Sequence, residues 1–438
     1  MSKSTKTNNR ITSTNKSKQH NPKLWSILTV VIIAVLWFSS FTVQAQKDNT
    51  ITIGKIDSLY SKTLGEERKI WIHLPQSAQN NVFSKQRYPV VYLLDGDAHF
   101  SAVVGMIEHL STSNGTSICP EMIVVGIPNT DRMRDLTISH MAVDPTDPFT
   151  AGVETSGGGD NFIAFIEKEV IPYVNANYPT TSYKMLIGHS LGGLIVMDVA
   201  MNHTNLFNAY VAIDPSMWWD KSKLLKEITK SYATKKMDGV SLYLACANTM
   251  ENGMTTTTVK KDPSKLTEHI RAILETNDLL NKDKNSKLKY LFKYYDKDDH
   301  GSVPLIAEYD ALHFIFDFYN LKLSTTEFMN MNKDVVTKIE KHYAKVSEKF
   351  GYTVLVPETM ANSMGYALTS QKKYDEAEYI FQLNIKNYPG SANVYDSMGD
   401  CYLAKGDKEK AIANFKKALS INSNFIETKS KLEKLLKG

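Results

Sequence analysis

Residues 185–200 read MLIGHSLGGLIVMDVA. An apolar run, 185–187, meets Gly188-His189-Ser190-Leu191-Gly192-Gly193, and an apolar stretch, 194–200, follows it. This is G-x-S-x-G placed between a strand and a helix, the context that gives the motif its meaning. A serine at such a junction sits on a tight turn, and the glycines two residues to either side leave room for it. Its hydroxyl then projects above a sheet edge, near a helix N-terminus whose dipole favours developing negative charge. The stretch predicts a fold of strands alternating with helices, and a nucleophile, Ser190.

The flanks extend the pattern. Candidate strands are 51–57, 69–74, 89–94, 122–126, 184–188, 210–214, 241–247 and 288–294, with helical stretches such as 161–178, 191–202 and 266–280 between them. VVYLL and MIVVGI are continuous apolar runs, as strands buried on both faces are. The alternation predicts an α/β fold, a mainly parallel sheet flanked by helices, whose first two strands could form an antiparallel edge hairpin. From about residue 324 the strands stop. Two segments then match at a period of 34: Met364-Gly365 with Met398-Gly399, Ala377 with Ala411, and Phe381 with Phe415. Each reads as helix, polar turn, helix, which predicts a small all-α tetratricopeptide-like module. Residues 332–350 and 426–436 offer flanking helices. Two repeats are too few for a free array, so the module should dock on the first domain.

The N-terminus carries its own signal. Residues 1–23 hold six basic residues and no acidic ones, and an apolar stretch, 24–43, follows. Val43-Gln44-Ala45 puts small residues where a signal peptidase cuts. We expect 1–45 to be a signal peptide, with an uncleaved N-terminal anchor as the alternative, 46–322 to be the α/β domain and 323–438 the helical module. Either N-terminal reading exports the chain to a periplasmic or extracellular location. Of 51 basic residues, the 45 outside that tag face 47 acidic ones, a net of −2. No nucleic-acid partner is expected on such a balance. The three cysteines lie far apart, which excludes a disulfide framework, a zinc knuckle and a CxxC pair.

A serine nucleophile needs a base, and in this arrangement the histidine comes late in the chain. His300, in the irregular loop DHGSVP after the last predicted strand, fits. His189 is bound into the motif, His203 sits just past the nucleophile helix, and His269 and His313 fall on predicted helices where a core or surface role is expected. His99 and His140 flank the wrong strands for a base. The acid is expected after the preceding strand, where Glu251 is the first carboxylate. Asp214, ending the strand before that in AIDPS, is the alternative, as are an acid beside His300 and a Ser-His pair with no carboxylate. For the oxyanion hole the Leu191 amide is one donor. Asp97, after the Asp95-Gly96 turn, offers the other unless that turn is an ordinary one. Arg132 or Arg134, in the loop after 122–126, would clamp an anionic substrate group or pair with Asp131 or Asp135. Trp218 and Trp219 would wall a substrate pocket or pack beneath it. No metal or organic cofactor is expected, because no clustered ligand set and no phosphate-cradling loop is visible.

YLLDGDAHF, VVGIPNTDRMRDLT, IGHSLGG, DPSMWWD and YYDKDDHGSVP together resemble the esterase family of the α/β-hydrolase superfamily that contains esterase D, enterochelin-type siderophore esterases and mycolyltransferases. The match covers about 50–320, and the tail resembles the tetratricopeptide extension on some bacterial members. The resemblance implies Ser190 as nucleophile, His300 as base, and the Asp97 and Leu191 amides as the oxyanion hole. It favours Glu251 as the acid, although some siderophore esterases are described as Ser-His dyads, and Asp214 stands where relatives often carry Ser. The expected function is an exported serine carboxylic-ester hydrolase acting on a small-molecule or carbohydrate ester, siderophore esters included. The alternatives are an acyltransferase with the same residues, or a binding protein with a vestigial hydrolase domain whose repeats recruit a protein partner or a second copy.

Overall fold

In the computed structural model, described for residues 50–437 apart from 81, 114–115, 147–149 and 283–285, eight strands form one sheet. The expected signal or anchor segment, 1–45, lies outside the described residues. The strands are β1 (Lys55–Ser61), β2 (Glu66–His73), β3 (Tyr88–Leu94), β4 (Ile123–Ile127), β5 (Thr180–His189), β6 (Ala209–Ile213), β7 (Ser241–Ala247) and β8 (Lys289–Tyr295). Their order is β1-β2-β4-β3-β5-β6-β7-β8. β1 and β2 form the antiparallel edge hairpin, β2 runs antiparallel to β4, and the rest are parallel.

β1 starts four residues later than its apolar pattern suggests. A tight turn fixes its register: Gly65, at φ 70°, donates its N–H to the Ser61 carbonyl at 2.9 Å. That contact pairs Ser61 with Glu66, so the strand is set by the turn and not by Ile51 and Ile53, which stay exposed. The central strands alternate as a doubly covered sheet must. Val90, Tyr92 and Leu94 enter one core, and Val91 and Leu93 the other.

The helices of the α/β part are α1 (Gly96–Ser111), the single turn α2 (Arg132–Asp135), α3 (Gly159–Phe165), α4 (Ile171–Asn177), α5 (Leu191–Asn202), α6 (Trp219–Ser231), α7 (Glu268–Lys282) and α8 (Val303–Ile315). A π-turn at Ile166–Val170 joins α3 to α4. α3 to α7 cover the face of Tyr92, and α1 and α8 cover the face of Val91.

The tail is all helix: α9 (Thr325–Met329), α10 (Lys333–Phe350), α11 (Glu358–Ser370), α12 (Tyr374–Asn387), α13 (Ala392–Lys405), α14 (Lys408–Ile421) and α15 (Ile426–Lys437). The 34-residue match is a packing rule. A Cβ on Gly365 would stand 2.4 Å from the Phe381 ring, so α11 and α12 approach closely only without a side chain there, and Gly399 meets Phe415 in the same way. The module docks as expected. Phe350, closing α10, packs edge-on against Tyr183 at 4.9 Å and lies against Phe316 and Phe318. Oε2 of the buried Glu358 accepts the Ser84 amide at 2.8 Å. Tyr183 begins the apolar part of β5 and Ser190 follows its last residue, so docking and motif lie at opposite ends of the sheet, roughly 20 Å apart. Cys119, Cys246 and Cys401 are free, buried thiols. Among the described residues no helix is long and apolar enough to cross a membrane.

Candidate active site

Ser190 stands alone between β5 and α5, at φ 60° and ψ −117°. For a serine this is a strained conformation, of the kind that costs about 1–3 kcal/mol and persists only where the surroundings enforce it. They do so here: the Ser190 amide donates to the Ile213 carbonyl at 3.0 Å, and the Ser190 carbonyl accepts the Ser216 amide at 3.0 Å. Gly188 explains the motif's first glycine, since a Cβ there would lie 2.4 Å from the Gly192 carbonyl oxygen. The hydroxyl projects beyond the sheet edge, 3.1 Å from Nε2 of His300 and 3.5 Å from the Ser216 hydroxyl.

His300 comes from the loop between β8 and α8, which is pinned from two sides. Asn248, directly after β7, donates its amide to the Asp298 carbonyl and its side chain to the Asp296 carbonyl. The Asp299 carboxylate accepts the Gly301 and Ser302 amides. Nδ1 of His300 lies 2.6 Å from Oδ2 of Asp214.

The carboxylate that meets His300 is therefore Asp214, and not the expected Glu251. Glu251 sits in an exposed turn beyond Asn248, and the position after β7 is used to tether the His300 loop. Asp214 directly follows β6, the neighbour of the strand that leads to Ser190, and its left-handed φ of 41° turns the side chain back into the sheet end. It is wholly buried, and Oδ1 accepts the Ala247 amide at 2.8 Å. Burial works against its charge. The hydrogen bonds from His269, His300 and Ala247 outweigh that cost and hold the carboxyl far below its ordinary value.

The two expected oxyanion donors sit at first-turn positions of α5 and α1, where an N–H has no acceptor inside its own helix. Leu93 pairs with Ile187, and a Cβ on Gly192 would stand 3.0 Å from Asp95 Oδ2, so the turns carrying Leu191 and Asp97 lie side by side.

With this geometry in view, comparison with known proteins is direct. Residues 61–300, more than half of the chain, match the family described as "Putative esterase", and residues 357–424 match the tetratricopeptide repeat. The chain belongs to this esterase family. Curated relatives include the siderophore triacetylfusarinine C esterase of Aspergillus fumigatus, 27% identical over 40% of this chain and 59% of the relative. The ferri-bacillibactin esterase BesA of Bacillus subtilis is 31% identical over 32% of this chain and 52% of its own length. The chain thus spans a little over half the length of the curated relatives it matches. Among solved structures, an IroE-like serine hydrolase from Shewanella oneidensis is 27% identical, covers 76% of this chain and 98% of its own, and superposes with a TM-score of 0.63. An uncharacterised protein from Capnocytophaga ochracea, 18% identical, shares the fold over 88% of this chain and all of its own at a TM-score of 0.54.

At the rim of this site, Arg132 is already engaged. Its guanidinium meets both oxygens of Asp95, at 2.6 and 3.0 Å, and reaches the His189 carbonyl at 3.4 Å. It braces the two turns against each other. Arg134 lies in a separate ion-pair group with Glu66 and Asp135, where the buried Arg68 joins it. Trp219 is not a pocket wall: it is buried, and its indole N–H donates to the Ser139 carbonyl at 3.1 Å. Its bulk fills the core under α6, which is where two adjacent residues at a helix start must diverge. Trp218 is half-buried and packs against Trp219, with ring centroids 5.8 Å apart.

The sequence reading missed His269. In the first turn of α7, its Nε2 lies 2.8 Å from Asp214 Oδ2. No spacing rule links position 269 to 214 or 300; only its place on a helix that starts at the carboxyl edge of the sheet hints at it. Among the described residues, Asp214, His269 and His300 are the group that brings three donor atoms within 4.8 Å. Their separations of 2.6 and 2.8 Å are those of two imidazole N–H groups on one carboxylate oxygen. His189, between His300 and His99, is driven down to about 4 by burial and by the neighbouring imidazoles, so it is neutral at physiological pH.

Proposed function

We propose that this protein is a serine carboxylic-ester hydrolase working through Ser190, His300 and Asp214. The observation that carries the reading is the unbroken chain of contacts from the Ser190 hydroxyl through both nitrogens of His300 to a buried, ionised carboxylate. Because Asp214 accepts from Nδ1, neutral His300 keeps its proton there and turns the Nε2 lone pair to the serine. Ser190 Oγ attacks the ester carbonyl as Nε2 takes its proton. The oxyanion is held by the Leu191 and Asp97 amides. Imidazolium then protonates the leaving alkoxide, and an acyl-enzyme remains. Water, deprotonated by the same nitrogen, releases the acid and restores Ser190. The acid partner serves to orient His300 and to stabilise its cation.

Siderophore esters are the substrate class we assign first, because relatives named for that activity are 27% and 31% identical to this chain over 175 and 149 residues. We further propose export through 1–45, on the basic flank, apolar stretch and Val43-Gln44-Ala45 site of the sequence. The test of the chemistry is Ser190→Ala. Purified variant should lose p-nitrophenyl ester hydrolysis and fluorophosphonate labelling together. A folded variant that keeps its activity overturns the reading.

A further inference from the structure

Asp214 has one more partner than a relay to Ser190 requires. Oδ1 is satisfied by the Ala247 amide at 2.8 Å. Oδ2 receives Nδ1 of His300 at 2.6 Å and also Nε2 of His269 at 2.8 Å. The two rings stand perpendicular, 5.1 Å apart. A buried, ionised carboxylate can only accept, so each imidazole must direct an N–H at it. His269 is thereby held with its proton on Nε2. It has no contact with Ser190, and its side chain is 18% exposed on α7.

Two consequences follow from a second donor on that oxygen. The first is geometric. Asp214 hangs from one backbone amide, and His269 supplies the other fixed point that keeps the carboxylate aimed at His300. The second is electrostatic. A second donor draws on the charge of Oδ2 and leaves less of it to stabilise the protonated form of His300. We propose that His269 is a positioning residue, a second imidazole that locks the Asp214 carboxylate and sets the pH range over which His300 acts as a base. This rests on the reading of Ser190, His300 and Asp214 as the catalytic set.

The surroundings leave room for such tuning. His189 faces His300 from the end of β5, with ring centroids 4.5 Å apart, and is kept neutral by burial. His99, on α1, faces His189 and is also shifted down by burial. Asp95 with its partner Arg132 lies beyond them. Asp299, on the His300 loop, keeps its charge through the Ser302 and Gly301 amides. Cys246, beside Asp214 on β7, is pushed up by burial and stays a thiol. On α7 itself, Glu268 adjoins His269, and Arg271 is engaged by Thr267 and the Ser264 carbonyl.

The experiment compares His269→Gln with His269→Phe in full-length protein, reading kcat/KM against pH with a p-nitrophenyl ester. Gln carries an N–H to about the position of Nε2 but does not titrate; Phe keeps bulk without a donor. We expect His269→Phe to lose about tenfold in kcat and to move the acidic limb up by about half a pH unit or more, while His269→Gln keeps the wild-type limb and most of the rate. A purely structural role would lower both variants alike and leave the limb in place, and that result overturns the proposal. Imidazole N–H proton resonances give a readout independent of turnover. Wild type should show two downfield signals, and His269→Phe one, shifted further downfield; an unchanged His300 signal overturns the proposal too. Ser190→Ala separates the two ideas: residual activity there sinks the catalytic set and this inference with it, whereas an inactive Ser190→Ala beside an unshifted His269→Phe sinks this inference alone.

Discussion

Asp214 and Glu251 are distinguished by two near-isosteric changes. Asp214→Asn keeps the size of the side chain but removes the charge, and its one accepting oxygen cannot serve the Ala247 amide on one side and the two histidines on the other. By comparison with other serine triads, kcat should fall by about 10³–10⁴ with little change in KM. Glu251→Gln should leave both constants within about twofold, since Glu251 is exposed and outside the contact chain. Steady-state kinetics on both variants checks this, and a reversed ranking would return the acid to Glu251. Ser190 and His300 were legible as partners because each sits in a local pattern, a Gly-flanked turn and a loop after the last strand. The carboxylate that meets His300 was not, because β6 and β7 both end in plausible positions. What chooses between them is a left-handed residue at 214, a conformation that aspartate tolerates better than most residues but that no local pattern assigns to this position.

Between α1 and α8 lies a second buried carboxylate with a different fate. Glu308 is 3% exposed, its Oε1 lies 3.9 Å from Nδ1 of His99, and burial pushes its carboxyl up to about 8. The folded protein therefore holds a proton that the unfolded chain, at an ordinary value of 4.5, releases. Stability contributed by this site is present below about pH 4.5, falls as pH rises toward 8, and is level above that. Glu308→Gln has no such titration. It should match wild type near pH 5 and exceed it at pH 8 by on the order of 4 kcal/mol. Urea unfolding across that range is the measurement, and a gain that does not grow with pH would refute it. The helices themselves were readable: α5 falls on the predicted 191–202, and α10 within one residue of the predicted 332–350. Their apolar faces are long enough to carry a period. β1 was misplaced because a turn, and not a pattern, sets it.

The repeat module is joined to the esterase domain by an aromatic cluster at the end of the sheet away from Ser190. Phe350 is 4% exposed and touches Tyr183, Phe316 and Phe318. Phe350→Ala should cost about 3–5 kcal/mol if the cluster cannot collapse around the cavity. Because roughly 20 Å of strand separates it from the nucleophile, kcat of the folded variant should stay within about twofold. Calorimetry beside kinetics tests this. A loss of kcat with no loss of stability would show that the module communicates with the site.

The sequence by itself determined what depends on neighbours along the chain. These are the strand-turn-helix around Ser190, the alternation that makes a doubly covered sheet, the 34-residue repeat and the loop that presents His300. Each is a pattern that local sterics and one-sided burial enforce. Only the tertiary structure decided which carboxylate meets His300, that His269 shares it, that Trp219 is core and that Arg132 is bound to Asp95. Those outcomes turn on where strand ends and helix starts converge from distant parts of the chain, and hydrogen-bond geometry at 2.6–2.8 Å is set by that convergence, not by spacing in sequence.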